Sequence, residues 1–213
     1  MNPQELLDVP ALTSSQLQLV THWHTSPPST GESGTDSDTG RPDTDTLVDH
    51  TLQLHLFNFR LWHEEDRARD PGANDSIIAA VKRSIDKLNQ QRNDRIERCD
   101  EALIQKLTAV VPAPSTKYNS ETPGSIIDRL SINALRIYHM DEEAQRKSAS
   151  AEHRSKCAAR LLVLNQQRTD LALCLSELID ELANGTKCVR VYRQMKMYND
   201  PNLNPVLYSK DSK

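Results

Sequence analysis

Two stretches of this chain repeat each other in a single gapless register, and that repetition constrains its fold more tightly than composition does. Arg60-Leu61-Trp62-His63 returns as Arg136-Ile137-Tyr138-His139, and Leu88-Asn89-Gln90-Gln91-Arg92-Asn93-Asp94 returns as Leu164-Asn165-Gln166-Gln167-Arg168-Thr169-Asp170. Both recurrences lie 76 residues apart. At that offset, residues 54 to 103 set against 130 to 179 give 12 identities in 50 pairs, with apolar matches such as Leu56 with Ile132 and Leu103 with Ile179. A unit of this length cannot bury its apolar face alone, so two copies of a helical hairpin are expected to pack on each other about a pseudo-two-fold.

The periodicity within each copy is helical. Leu52, Leu56 and Phe59 form an i, i+4, i+7 stripe on a helix from Leu47 to about Arg69, and Asp70 to Asp75 then make a turn with Asp75 or Ser76 as the next cap. Ile78, Val81, Ile85 and Leu88 carry a second helix to about Val110, which Pro112 and Pro114 stop. The following loop, 111 to 120, spans at most about 35 Å, which disfavours a full parallel crossover. Ser120-Glu121-Thr122-Pro123-Gly124 opens a third helix to about Arg146, and a fourth runs from near Ser150 to Gly185. The expected fold is all-α: a four-helix bundle over 47–185, built from the hairpins 47–110 and 120–185. Ahead of it, residues 1–24 read as a short helical segment that docks on the body or on a partner. Residues 25–46, rich in Ser, Thr, Pro, Gly and Asp, read as a disordered acidic linker. Residues 186–213 read as a basic tail packed on the bundle.

Polar residues on core-facing stripes are expensive placements, so they mark candidate sites. The first stripe continues from Phe59 to His63 and Asp66, and the third helix's stripe continues from Leu135 to His139 and Glu142. Each copy thus aims a His-x-x-acid pair inward. Imidazole and carboxylate on facing helices resemble, in reversed order, the Glu-x-x-His ligands of di-metal bundles, although the other two helices offer only Asp86 beside Lys82 and Arg83. No cofactor is predicted outright; a single divalent metal on His63, Asp66, His139 and Glu142 fits better than two. A polar ligand held by His63, His139, Arg60 and Arg136, with Lys82 and Arg83 as further ligand contacts, is the other option. Arg92 and Arg168 also point inward and need partners. Asp128 is the expected partner of Arg168, and Asn89, Asn165, Asp94 and Asp170 are expected to complete a buried network.

Charge is partitioned along the chain: residues 1–46 carry −6, residues 186–213 carry +4, and the body is nearly neutral. A near-neutral body argues against nucleic acid as a partner. Lys187, Arg190, Arg193 and Lys196 step by three, which suggests a short helix presenting bases to an anion, with Arg190 and Arg193 as ligand contacts. No apolar run is long enough for a membrane span, and the acidic N-terminus is unlike a secretory signal. Cys99, Cys157, Cys174 and Cys188 lack the spacing of a zinc or redox motif. These features together suggest a soluble cytoplasmic protein with reduced thiols.

NFRLWHEEDRAR at 58–69, KRSIDKLNQQRND at 82–94, SETPGSIIDRLSI at 120–132 and KMYNDPNLNPVLY at 196–208 resemble the family called domain of unknown function 4254. The likeness covers about residues 47–208. It implies a bacterial helical protein with no reaction to carry over, and an association of relatives with surface-polysaccharide assembly. Two functions follow from the residues. One is a non-catalytic binding or accessory protein that holds a small anionic ligand or a protein partner at a polar bundle end. The alternative is an enzyme using His63 or His139 as metal ligand or general base, with Asp66, Glu142 and Asp86 orienting it.

Overall fold

The computed structural model describes residues 2–28, 46–195, 200 and 202–208. Most of the expected acidic linker and part of the tail motif fall outside these residues. Within them, α1 spans Pro3–Leu6, α2 Val9–Thr25, α3 Leu47–Ala68, α4 Asp75–Lys106, α5 Pro123–Gln145, α6 Ala151–Ala183 and α7 Pro205–Tyr208. A 3-10 turn, Leu107–Ala109, extends α4, and two-residue strands β1 (Lys117–Tyr118) and β2 (Lys187–Cys188) pair in parallel.

Each long helix starts on a side-chain cap that satisfies a free backbone N–H. Asp8 accepts from Ala11 N, and Thr46 and Asp49 form a capping box, as do Thr122 and Ser125 with Pro123 in the first turn. Ser150 accepts from His153 N. The cap of α4 is Asn74, one residue ahead of the expected Asp75 or Ser76. At the far end of α6 the chain reverses through Gly185 at φ +71°, where Gly185 N–H donates to Leu182 O and Thr186 N–H to Glu181 O.

The fold is an all-α bundle in which α3 packs on α4 and α5 on α6, while α3 and α5 meet side by side. Residues 76 apart touch at two levels of that seam. His55 Nδ1 lies 2.7 Å from Ser131 Oγ, and further along the His63 and His139 rings approach to 6.1 Å. Two contacts in the same register mean that α3 and α5 run parallel. The connection from α4 to α5 is therefore local, and the short loop never has to traverse the bundle. Helix α4 lies against both α3 and α5. On the opposite side α2 packs on α5, α6 and α3, so the N-terminal segment is part of the body.

Apolar clusters occupy both ends of the seam. One gathers Leu12, Leu54, Leu103, Ile127, Leu130 and Leu175; the other gathers Val20, Trp23, Leu56, Phe59, Ala134 and Leu135. A buried polar layer lies beside them. Arg92 forms a two-pronged pair with Asp128, which also accepts from Asn58 Nδ2 at 2.9 Å. Asp128 is thus the partner of Arg92, and not of Arg168 as the sequence suggested: it stands one turn into α5, on the side that α4 covers. Arg168, on the other side, donates to carbonyls of Leu130 (2.9 Å) and Thr13 (2.5 Å) and to Gln16 Oε1 (3.3 Å). Its acceptors among the described residues are all neutral, and burial lowers the pKa of its guanidinium to about 10.

The expected network members Asp94, Asp170 and Asn165 are exposed and bond within their own helices, to Gln90, Gln166 and the Leu161 carbonyl. Asn89 is half-buried. The inner positions belong instead to His55, Asn58, Ser131 and Gln16. The tail also departs from expectation, because no helix forms over 187–195. Arg193 bridges Glu97 and Glu101 on α4, and Arg190 lies 4.2 Å over the Tyr118 ring and donates to its hydroxyl. Glu97 and Glu101, one turn apart on α4, draw Arg193 onto the body while Tyr118 holds Arg190, so this stretch crosses as a strap.

Candidate metal centre

Three helices bring one imidazole each to a common point. His24 lies in the last turn of α2, His63 near the end of α3 and His139 near the end of α5. One ligand nitrogen from each lies within 4.8 Å of the other two, and all three residues are half-buried. Parallel α3 and α5 explain the first pair: their matching stripes reach the same height together. α2 reaches the site because Trp23 packs on Phe59 (5.3 Å between ring centroids), one turn before His63.

The hydrogen bonds fix which nitrogen of each outer ring is available. His24 Nδ1 is 2.7 Å from the Val20 carbonyl, which can only accept, so in the neutral ring the proton sits on Nδ1 and Nε2 carries the lone pair. His139 Nδ1 is 3.0 Å from Glu142 Oε2, and the same reasoning leaves Nε2 of His139 as a lone-pair donor. Both Nε2 atoms are buried and have no hydrogen-bond partner among the described residues. An unsatisfied buried polar atom costs about 1–3 kcal/mol, so two at one point need an explanation. Burial, then the neighbouring His24 and His139, lowers the pKa of His63; burial also lowers that of His139 against the opposing pull of Glu142. Neutral imidazoles are the state a metal ion requires.

Aromatic walls hold the rings in place. Tyr138 stacks on His24 at 4.0 Å and Trp62 stacks on His139 at 4.7 Å. A carboxylate or carbonyl behind a ring N–H is the usual outer support of a metal-bound histidine. Nitrogens at 2.0–2.1 Å from a tetrahedral ion stand about 3.3 Å apart, so no edge of this triangle, all of whose corners lie within 4.8 Å, has to close by more than about 1.5 Å. Small side-chain rotations can accomplish that.

The structure brings together His63, His139 and Glu142 among the residues singled out from sequence. Glu142 serves as support to His139, while Asp66 is exposed and acts on His63 and His139 through its field. Asp86 is engaged with Lys82 in an exposed pair on α4, and Arg83 is exposed beside them. Arg60 and Arg136 sit one turn before His63 and His139, half-buried and exposed respectively. Sequence reasoning missed His24. Its signal was a helical segment with no assigned place, carrying imidazoles at His22 and His24.

A family model described as "Protein of unknown function (DUF4254)" matches residues 49–191, more than half of the chain, and leaves α1 and α2 outside the match. No curated protein and no solved structure matches.

Proposed function

The chain belongs to the family described as Protein of unknown function (DUF4254), and since that description carries no activity, we propose a function from the chain's own geometry: it binds one divalent transition-metal ion through His24, His63 and His139. The observation that carries this reading is the pair of buried, unpartnered Nε2 lone pairs meeting a third imidazole. Three nitrogen ligands suit zinc, copper, nickel, cobalt or iron and are poor for magnesium or calcium. Three protein ligands also leave a coordination position for water or a small anion, the arrangement of catalytic more than structural zinc. An anionic ligand would then be held by the ion, since Arg190 and Arg193 are engaged with Tyr118, Glu97 and Glu101.

Two further readings accompany the proposal. The meeting of residues 76 apart at His55–Ser131 and His63–His139 supports an internal duplication, in which His63 and His139 would be the matched pair and His24 the ligand from outside the repeat. Four unpaired cysteines favour a reducing cytoplasm.

The test is a titration of chelator-stripped protein with zinc and cobalt(II) by calorimetry and visible absorption. One ion per chain is expected, with a four-coordinate cobalt spectrum, and His63→Gln or His139→Gln should weaken binding more than tenfold. Affinity that is absent, or indifferent to both substitutions, overturns the reading.

A further inference from the structure

We infer that the ion of this centre pins the C-terminal turns of α2 to the bundle, so that metal occupancy sets how firmly that end of the helix is docked. This rests on the metal-binding reading and adds a mechanical consequence to it.

Helix α2 is attached at two levels. Its first half is held without any ion: Val9 and Leu12 enter the core, Arg168 donates to Thr13 and Gln16, and the Gln16 carbonyl accepts from His55 Nε2 at 2.9 Å. Its last turns rest on Val20 and Trp23, buried in the second apolar cluster, and beyond them on the ring packing of His24, the contact to which an ion would add. Two ligands, His63 and His139, belong to α3 and α5, which are joined by their own seam. The third belongs to α2, and it comes from outside the stretch that the family model matches.

Consider docking of the α2 end with the ion absent. It buries Nε2 of both His24 and His139 with nothing to bond to, whereas undocking hydrates both. With the ion present, each lone pair becomes a ligand. An ion that meets three nitrogens in the docked state and two in the undocked state must shift the balance towards docking by the ratio of those affinities. Losing only an outer support of a metal ligand weakens binding roughly 10–100-fold, so losing the ligand itself sets a shift of at least tenfold.

Hydrogen exchange of the backbone amides at residues 20–26, on the full chain, reads this directly. Zinc chloride at roughly 100 times the dissociation constant should slow those amides at least tenfold and leave those in the middle of α4 unchanged. His24→Gln should abolish the slowing. One bound zinc per chain with unchanged exchange overturns the pin and leaves the metal site standing, whereas no bound zinc overturns both. Unweakened binding by His24→Gln also overturns the pin. If His24→Gln fails to fold by circular dichroism, the exposed Glu142→Gln replaces it. The zinc concentration for half-maximal slowing must then rise by the same factor as the dissociation constant, and a mismatch overturns the inference.

Discussion

Asp100 and His55 make stability respond to pH in opposite senses. Burial pushes the Asp100 carboxyl up to about 6, against hydrogen bonds from Thr122 and from Gly124 N–H, and burial lowers His55 to about 4. An acid whose folded pKa is raised contributes stability that is full below its unfolded value of 3.8 and is lost as pH rises through 6. A histidine whose folded pKa is depressed contributes stability that is full above 6.5 and is lost as pH falls through 4. Each is on the order of 3 kcal/mol, the signs oppose, and the windows nearly coincide. For these two groups the net change between pH 4 and 6.5 is small. Asp100→Asn removes one side of the balance, so denaturant titrations of that variant should lose about 3 kcal/mol more than wild type on acidification across the window. Parallel profiles would show that Asp100 is not the opposing group. At the metal centre, Glu142→Gln leaves the exposed surface intact and should weaken zinc binding roughly tenfold through His139, with no change in melting temperature of the metal-free protein. Two of the three imidazoles were legible: a stripe that places Phe59 inside also turns His63 inward, and the repeat does the same for His139. His24 was not, because nothing in a local periodicity says which body a separate helix will dock on.

Helix ends were legible wherever they depended on local chemistry. Prolines and Gly185 stop helices by their own backbone restrictions, and the observed ends of α5 and α6 fall within two residues of the expected ones. The tail was not legible, because bases spaced by three fit either a helix or a strap, and the choice is made by Glu97 and Glu101 some ninety residues away. A contrast between two contacts tests this division. The start of α5 approaches α4 so closely that a Cβ on Gly124 would stand 2.5 Å from the Ile96 carbonyl and 2.9 Å from Asp100 Oδ1. Backbone must shift to admit it, so Gly124→Ala should destabilise the fold by about 2 kcal/mol or more in chemical unfolding. Arg193→Ala removes an exposed pair of contacts, and its expected effect is confined to the strap: faster hydrogen exchange over 187–195 with an unchanged global unfolding midpoint.

The whole molecule is larger than the stretch that the family model matches. Residues 49–191 hold both hairpins, yet α1 and α2 bury Leu6, Val9, Leu12, Val20 and Trp23 on them. At roughly 2 kcal/mol for each fully buried apolar side chain, that gross burial approaches 10 kcal/mol, comparable to the entire margin of about 5–15 kcal/mol by which domains are stable. Without α2, the faces of Phe59, Ala134 and Leu135 lose their cover, and His55 loses the acceptor of its Nε2 proton. A chain begun at residue 46 is therefore expected to keep helical far-ultraviolet circular dichroism, lose its near-ultraviolet signal and unfold without a sharp transition. Circular dichroism and calorimetry of the two lengths side by side decide it. A sharp transition in the shortened chain, at a midpoint close to that of the full one, would mean that the hairpins close their own core. In that case the layer of Gln16, His55 and Arg168 would only position α2 and the imidazole it carries, contributing little to holding the bundle together.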